Sequence, residues 1–378
     1  MHSSGYKVES NDQCTTRGYN KRSYSNDASD QSAKRFCEAL QSASAPQFFV
    51  RLREVRTVYE PPLLAIQQKY RRLCGWHRRG FPGSHPVCMH RENYEMILQS
   101  SYMVTWKSVG KRYMMLIEEK DKVYMLDQGD NVFAIDHIQF PCNAEYTSHL
   151  KDTLVDGELV IDNVDGSDKL RYLINDIITY NGRNVSTKPF RFRLRLISEW
   201  IVNVRNKAIT KGHIKKTTQP FSIRNQDFFG LSEVNKLISS KFLKTVPHEV
   251  EGFIFLPENE PYTPGECQHV LKWKESETVE FRLKISATFS KRGALPEKNA
   301  HLFVNRRDTP FARMPYVPFL EAYDNKIISC SYKGDQWHFH RLRDDRPFPN
   351  SYQTAMGVMA AMRRPVTRKA LCDLIKVN

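Results

Sequence analysis

The spacing of apolar and polar positions divides the chain into stretches of different character. Residues 1–45 are rich in Ser, Asn, Asp and Gln and hold few large apolar groups. That composition cannot offset the entropy lost on ordering, so a flexible tail is expected there. Order is expected to begin near Phe48-Phe49-Val50. From Tyr102 the pattern becomes strand-like. Val104-Thr105-Trp106 and residues 113–117 flank a turn around Gly110. Residues 123–126 and 132–135 flank Gln128-Gly129-Asp130-Asn131 and read as a hairpin. Further strands are expected at 159–161, 172–178 and 253–256, and Asn181-Gly182 is a turn signal.

Between these strands Leu196, Ile197, Trp200, Ile201 and Val204 recur at helical spacing. Val279, Phe281, Leu283 and Ile285 then alternate with Glu280, Arg282 and Lys284, the signature of a half-buried strand with a charged outer face. Short β segments follow up to Phe339, and helical periodicity returns from about Tyr352. The fold class is therefore α+β: a large mixed domain over 46–274, and a smaller β-rich domain with a C-terminal helix over 275–378.

Composition narrows the function. Lys and Arg total 57 against 42 Asp and Glu, a net charge of +15. The excess points to a polyanion, whether nucleic acid, nucleotide phosphate or an acidic protein tail. No apolar run approaches the ~18 residues of a membrane span, so no membrane partner is expected. No secretory signal is readable. Eight Cys without a CxxC pair suit a reducing compartment, cytosol or nucleus. Cys74, His77, His85, Cys88 and His90 cluster, but their spacing matches no common zinc pattern. Arg191, Arg193 and Arg195 are expected on a solvated helix start.

Phosphate chemistry needs a device, and two familiar ones are absent. There is no GxxxxGK[ST] loop, and no Cys is followed six places later by Arg. The remaining candidate is Lys107, at a strand-to-turn junction beside Gly110, which lets backbone approach a ligand. On spacing alone a surface lysine beside a turn is the commoner reading. Asp156-Gly157-Glu158 opens a strand with two carboxylates, and Glu251-Gly252 puts another at the mouth of an apolar strand. Lys272 and Lys274 flank Trp273, so on a strand both ammonium groups face one side. Arg343-Asp344-Asp345-Arg346 lies downstream.

Taken in order, these residues resemble the guanylyltransferase part of animal mRNA capping enzymes, from about Cys74-Gly75-Trp76 onward. The Lys107 segment resembles the family's KxDG nucleophile motif, and Asp156-Gly157-Glu158 its third motif. Residues 171–178 resemble the segment after it, Glu251-Gly252 the fourth motif, and residues 271–274 the fifth. Residues 337–350 resemble the sixth, and Gln219-Pro220-Phe221 also fits.

The resemblance implies a ligase-like nucleotidyltransferase domain followed by an OB-fold domain. It implies that Lys107 takes GMP from GTP and passes it to the 5′-diphosphate end of RNA. It assigns GTP contacts to Arg112, Asp156, Gly157, Glu158, Lys272, Trp273, Lys274, Arg343, Asp345 and Arg346. It assigns Mg²⁺ or Mn²⁺ to Glu158 and Glu251. The nucleus and the phosphorylated C-terminal tail of RNA polymerase II follow as expected location and partner. A separate RNA triphosphatase is expected, because the tail is too short to hold one and the cysteine phosphatase loop is missing.

The chain departs from the family pattern near the nucleotide. Val109 stands for Asp, Gln128 for Arg, Asn175 for a base-stacking aromatic, and Arg346 for Lys. The loop 275–278 is short. These departures leave open a catalytically impaired paralogue that binds RNA or the polymerase tail. An ATP-dependent polynucleotide ligase shares the same nucleophile logic.

Overall fold

Residues 52–143, 145–288, 297–344, 346 and 348–376 are described by a computed structural model. The expected tail at 1–45, the expected onset near Phe48 and Asp345 lie outside them. In chain order the first elements are β1 (Val55–Thr57), α1 (Pro62–Leu73), β2 (Ser84–Cys88), β3 (Tyr102–Ser108), β4 (Lys111–Glu119), β5 (Lys122–Asp127) and β6 (Val132–Ile135). The chain continues with β7 (Thr153–Val164), β8 (Ser167–Tyr180), β9 (Arg183–Asn184), α2 (Phe190–Leu196), α3 (Asn203–Thr210), β10 (Ser222–Asn225) and β11 (Phe229–Gly230). After two short helical turns come β12 (Val250–Pro257) and β13 (Gly265–Trp273). The last part holds β14 (Val279–Thr288), β15 (Glu297–Phe303), β16 (Ala312–Met314), β17 (Ile327–Lys333), β18 (Gln336–Leu342), α4 (Tyr352–Arg363) and α5 (Arg368–Lys376).

Three sheets result. The first has strand order β1-β6-β5-β4-β7-β8-β10, with β9 on β8. The second has order β11-β3-β12-β13-β2. The expected hairpin is β5–β6, and Asn181 and Gly182 turn the chain from β8 to β9 with positive φ. The turn at Gly110 is not a hairpin. β3 belongs to the second sheet and β4 to the first, so the chain crosses between sheets within Val109-Gly110. A Cβ on Gly110 would stand 2.7 Å from Leu159 O, which is why the crossing can press so closely on β7.

Both faces of the first sheet are covered. Tyr113, Met115, Val155, Tyr172 and Ile174 pack with Leu196, Ile197 and Ile201 from the helical layer. Met114, Leu116 and Leu154 face the other way, against Ile66 and Tyr70 of α1. A π-helical segment, Ile197–Val202, joins α2 to α3. It turns Trp200 outward, 54% exposed, although the helical spacing counted it among the apolar positions. Arg193 is not on a solvated face either. It is buried and paired with Asp176, because α2 lies directly on β8.

The third sheet, β16-β15-β14-β17-β18, is antiparallel throughout, and β16 also lies against β18. That pairing is consistent with a five-stranded, partly open barrel of the OB type. Val279, Phe281 and Leu283 fill its core, as their alternation requires. Glu280, expected on the charged outer face, is buried against Arg343.

The C-terminal helices leave this barrel and return. Ser351 caps α4 by accepting from Thr354 N, and Pro365 follows its end. Helix α4 packs on β14 and β2, whereas Val366 and Leu371 enter the core of the second sheet with Trp106, Phe253 and Trp273. No helix among the described residues is long and apolar enough to cross a membrane.

Leu371 is fully buried in that core. Leu371→Ala is expected to lower stability by about 2–5 kcal/mol, read from the urea midpoint. The loss should appear in the unfolding of the larger domain.

Candidate functional site

The site forms where the first two sheets meet. Strand alternation on the second sheet sends Val104 and Trp106, Phe253 and Phe255, and Leu271 and Trp273 into one core. The same alternation turns Lys107, Gly252, Lys272 and Lys274 the other way, into the cleft. Glu251 joins them through a β-bulge. Ser108 pairs with Val250 and Lys107 with Gly252, so Glu251 is the extra residue and its carboxylate is re-aimed. It lies 2.6 Å from Lys107 Nζ and also accepts from Lys274 Nζ. Lys272 pairs with Glu277 at 3.5 Å.

The first sheet supplies the opposite wall. Arg112 on β4 stands beside Glu158 on β7 in register. Glu158 Oε1 is 3.8 Å from Lys107 Nζ. Arg112 binds Asp156 through both nitrogen arms of its fork and also donates to Ser84 O. Tyr262 donates to the same carboxylate at 2.6 Å. Gly157 acts in packing: a Cβ there would lie 2.3 Å from Leu173 O. A second bulge falls here, since Asp156 pairs with Asp176 and Gly157 with Ile174. The extra residue is Asn175, one of the departures named above.

The barrel domain approaches from above. Arg346 donates to Gln128 Oε1 at 3.2 Å, across the domain boundary. Arg343 donates to Glu280 within its own domain at 2.7 Å. Trp273 does not line the cleft; its indole is buried and donates to Val366 O. The structure thus brings together Lys107, Glu158, Glu251 and Lys274, with Lys272 and the Arg112–Asp156 pair alongside.

Electrostatics follow from this crowding. Burial of Glu251 opposes ionisation, but Lys107 and Lys274 prevail and pull its pKa down to about 2. Burial raises Glu158, with Glu251 adding to the effect against Lys107. Burial lowers Lys274, helped by Lys272 and Lys107. Among the described residues no group of three His, Cys, Asp or Glu converges on one point. Two carboxylates remain, Glu158 and Glu251, facing one cleft. That set fits Mg²⁺, which keeps water and takes substrate oxygens for its other positions. Cys74 and Cys88 lie in separate apolar cores, so the cysteine–histidine cluster does not form one site.

Several residues were not legible as site members. Tyr262 holds Asp156, and Glu277 holds Lys272 from within the short loop. His85, driven down to about 4 by burial and Arg112, faces the same corner. Only adjacency in sequence marked Glu277; nothing marked Tyr262.

A family model described as mRNA capping enzyme, catalytic domain, matches residues 50–276. A second, mRNA capping enzyme, C-terminal domain, matches 266–372. The chain belongs to the mRNA capping enzyme family. It is 42% identical over 319 residues to the mRNA-capping enzyme of Danio rerio, covering 84% of this chain and 53% of that one. For Mus musculus the values are 41% over 318 residues, 84% and 53%. For Caenorhabditis elegans they are 38% over 322 residues, 82% and 51%. The chain spans about half the length of these relatives.

The depressed Glu251 carboxyl makes a signed prediction. Its ordinary pKa of 4.5 falls to about 2 on folding, so its contribution is present above pH 4.5 and lost as pH falls toward 2. Glu251→Gln should cost about 1–2 kcal/mol near neutral pH, discounted for partial exposure. The gap from wild type should close across that acid window in urea titrations.

Proposed function

We propose that this chain transfers GMP from GTP to the 5′-diphosphate end of RNA through a lysyl-GMP intermediate. The observation that carries the reading is Lys107, held between Glu251 and Glu158 in a cleft that Lys272 and Lys274 also enter. In-line phosphoryl chemistry needs positioning and charge neutralisation above all. Lys107 Nζ attacks the α-phosphorus, an N–P bond forms, and the bond to pyrophosphate breaks. Glu251 and Glu158 are the carboxylates within reach of the ammonium proton. Lys272 and Lys274 offset charge on the phosphate oxygens, each released from its carboxylate partner as GTP arrives. Glu158 and Glu251 would hold a divalent ion, whose role is to neutralise phosphate charge. An oxygen of the RNA diphosphate then displaces Lys107 and completes the cap.

The barrel domain supplies Arg343 and Arg346 above this cleft. Its closure over GTP and its opening to RNA are part of the proposal. So are a nuclear location, the phosphorylated polymerase tail as partner, and a separate triphosphatase that prepares the RNA end. The reading as an impaired binding module has one observation in its favour. Gln128 is already engaged by Arg346, where the family pattern expects a cation facing the nucleotide.

Incubation with α-labelled GTP and Mg²⁺ should label the chain on a denaturing gel. Lys107→Ala should remove the label entirely, and Lys274→Ala should slow labelling by about 10²-fold. An unlabelled wild-type chain that binds RNA in a salt-sensitive way would select the binding-module reading instead.

A further inference from the structure

The residues before and after Lys107 are held by a single imidazole. Strand alternation points Trp106 and Ser108 to one side of β3 and Lys107 to the other. Trp106 Nε1 donates to His248 Nε2 at 3.0 Å, and Ser108 Oγ lies 2.9 Å from the same nitrogen. His248 Nδ1 is 2.7 Å from Asp162 Oδ1, and the other Asp162 oxygen is ion-paired with Arg171. The cluster is buried: Ser108 is 1% exposed, and the His248 and Asp162 side chains 4% and 3%.

Only one proton arrangement satisfies these contacts. The indole N–H of Trp106 can only donate, so Nε2 accepts and the ring proton sits on Nδ1 facing Asp162, with the Ser108 hydroxyl sharing the single Nε2 lone pair. The backbone repeats the connection. Asn163 N of β7 donates to Pro247 O, and Val109 N donates to Glu249 O at 2.8 Å. The segment 247–249 is therefore fastened to β7 on one side and to the end of β3 on the other. β7 carries Glu158 and β3 carries Lys107.

We propose that His248 is a positioning residue for Lys107. By gripping both sequence neighbours of the lysine, it fixes the roll of β3. Through Asp162 it refers that roll to the sheet that holds Glu158. This inference rests on the guanylyl-transfer reading for its rate effect, but its geometric content can be tested separately. Ser, His and Asp here resemble a hydrolytic triad in connectivity alone. The serine is sealed from solvent and its hydroxyl is committed to holding the strand.

The test compares wild type with His248→Leu, His248→Gln and Asp162→Asn in single-turnover labelling with α-labelled GTP. His248→Leu should slow formation of the Lys107–GMP bond by about 10²-fold, with GTP affinity within about threefold, because an ångström of misplacement costs that much. His248→Gln, whose amide offers N–H donors and a carbonyl acceptor, should recover most of the rate. Asp162→Asn should favour the other imidazole tautomer and lose rate in the same way, as removal of an orienting carboxylate does. It decides the matter if His248→Leu does not fold.

Wild-type rates in the folded Leu and Asn variants would overturn the proposal, as would equal losses of rate and affinity. If wild type itself forms no adduct, the guanylyl-transfer reading fails and a second readout still decides this one. Acetylation of Lys107 by acetic anhydride, followed by mass spectrometry, should change at least fivefold in His248→Leu. It should be restored in His248→Gln. An unchanged acetylation rate would overturn the positioning role.

Discussion

The crossing at Val109-Gly110 is the constraint on which the site depends. Two residues carry the chain from one sheet to the other, so the strand bearing Lys107 and the strand bearing Arg112 cannot separate. Everything charged in the cleft is arranged around that junction. Glu158 comes from the strand beside Arg112, and Glu251 comes from the strand beside Lys107. A buried cluster of like and unlike charges is stable only when each member has a partner. Here Lys107, Lys274 and Glu251 share one another, Lys272 has Glu277, and Arg112 has Asp156. The cleft is thus charged and internally neutralised before any ligand enters.

Much of this was legible in the sequence because alternation is a strong signal. Lys272 and Lys274 around Trp273 were expected on one face, and the structure puts them there with the indole in the core. The barrel strand at Val279 was equally clear. Glu251 and Asn175 were singled out in the sequence, but the way their side chains point was not legible, because it depends on interruptions of alternation. Glu251 and Asn175 sit on bulges, and no local pattern announces a bulge or says which way it turns a side chain. The π-helical segment did the same to Trp200, since one wider turn moves an apolar position to the surface. Tyr262 and His248 are long-range contributors, and sequence spacing carries no information about partners 106 and 86 residues away.

The departures from the family pattern take on different meanings in space. Val109 is 40% exposed on the crossing itself. Gln128 is used, since its amide oxygen accepts from Arg346 where another guanidinium could not. Asn175 sits on a bulge beside the Asp156–Asp176 register, so its change affects a position the backbone already treats as irregular. Arg346 keeps its charge and donates through a single arm to Gln128.

The C-terminal segment places a demand on how the molecule is made. Val366 and Leu371 complete a core whose other members come from β3, β12 and β13. The barrel domain is therefore an insertion between two parts of the larger domain, joined to it at both ends. During synthesis the second sheet must wait, with an apolar face uncovered, until Val366 and Leu371 have left the ribosome. The strand that carries Lys107 is sealed only then, so until Leu371 has been made it lacks part of the packing that holds Lys107 in place.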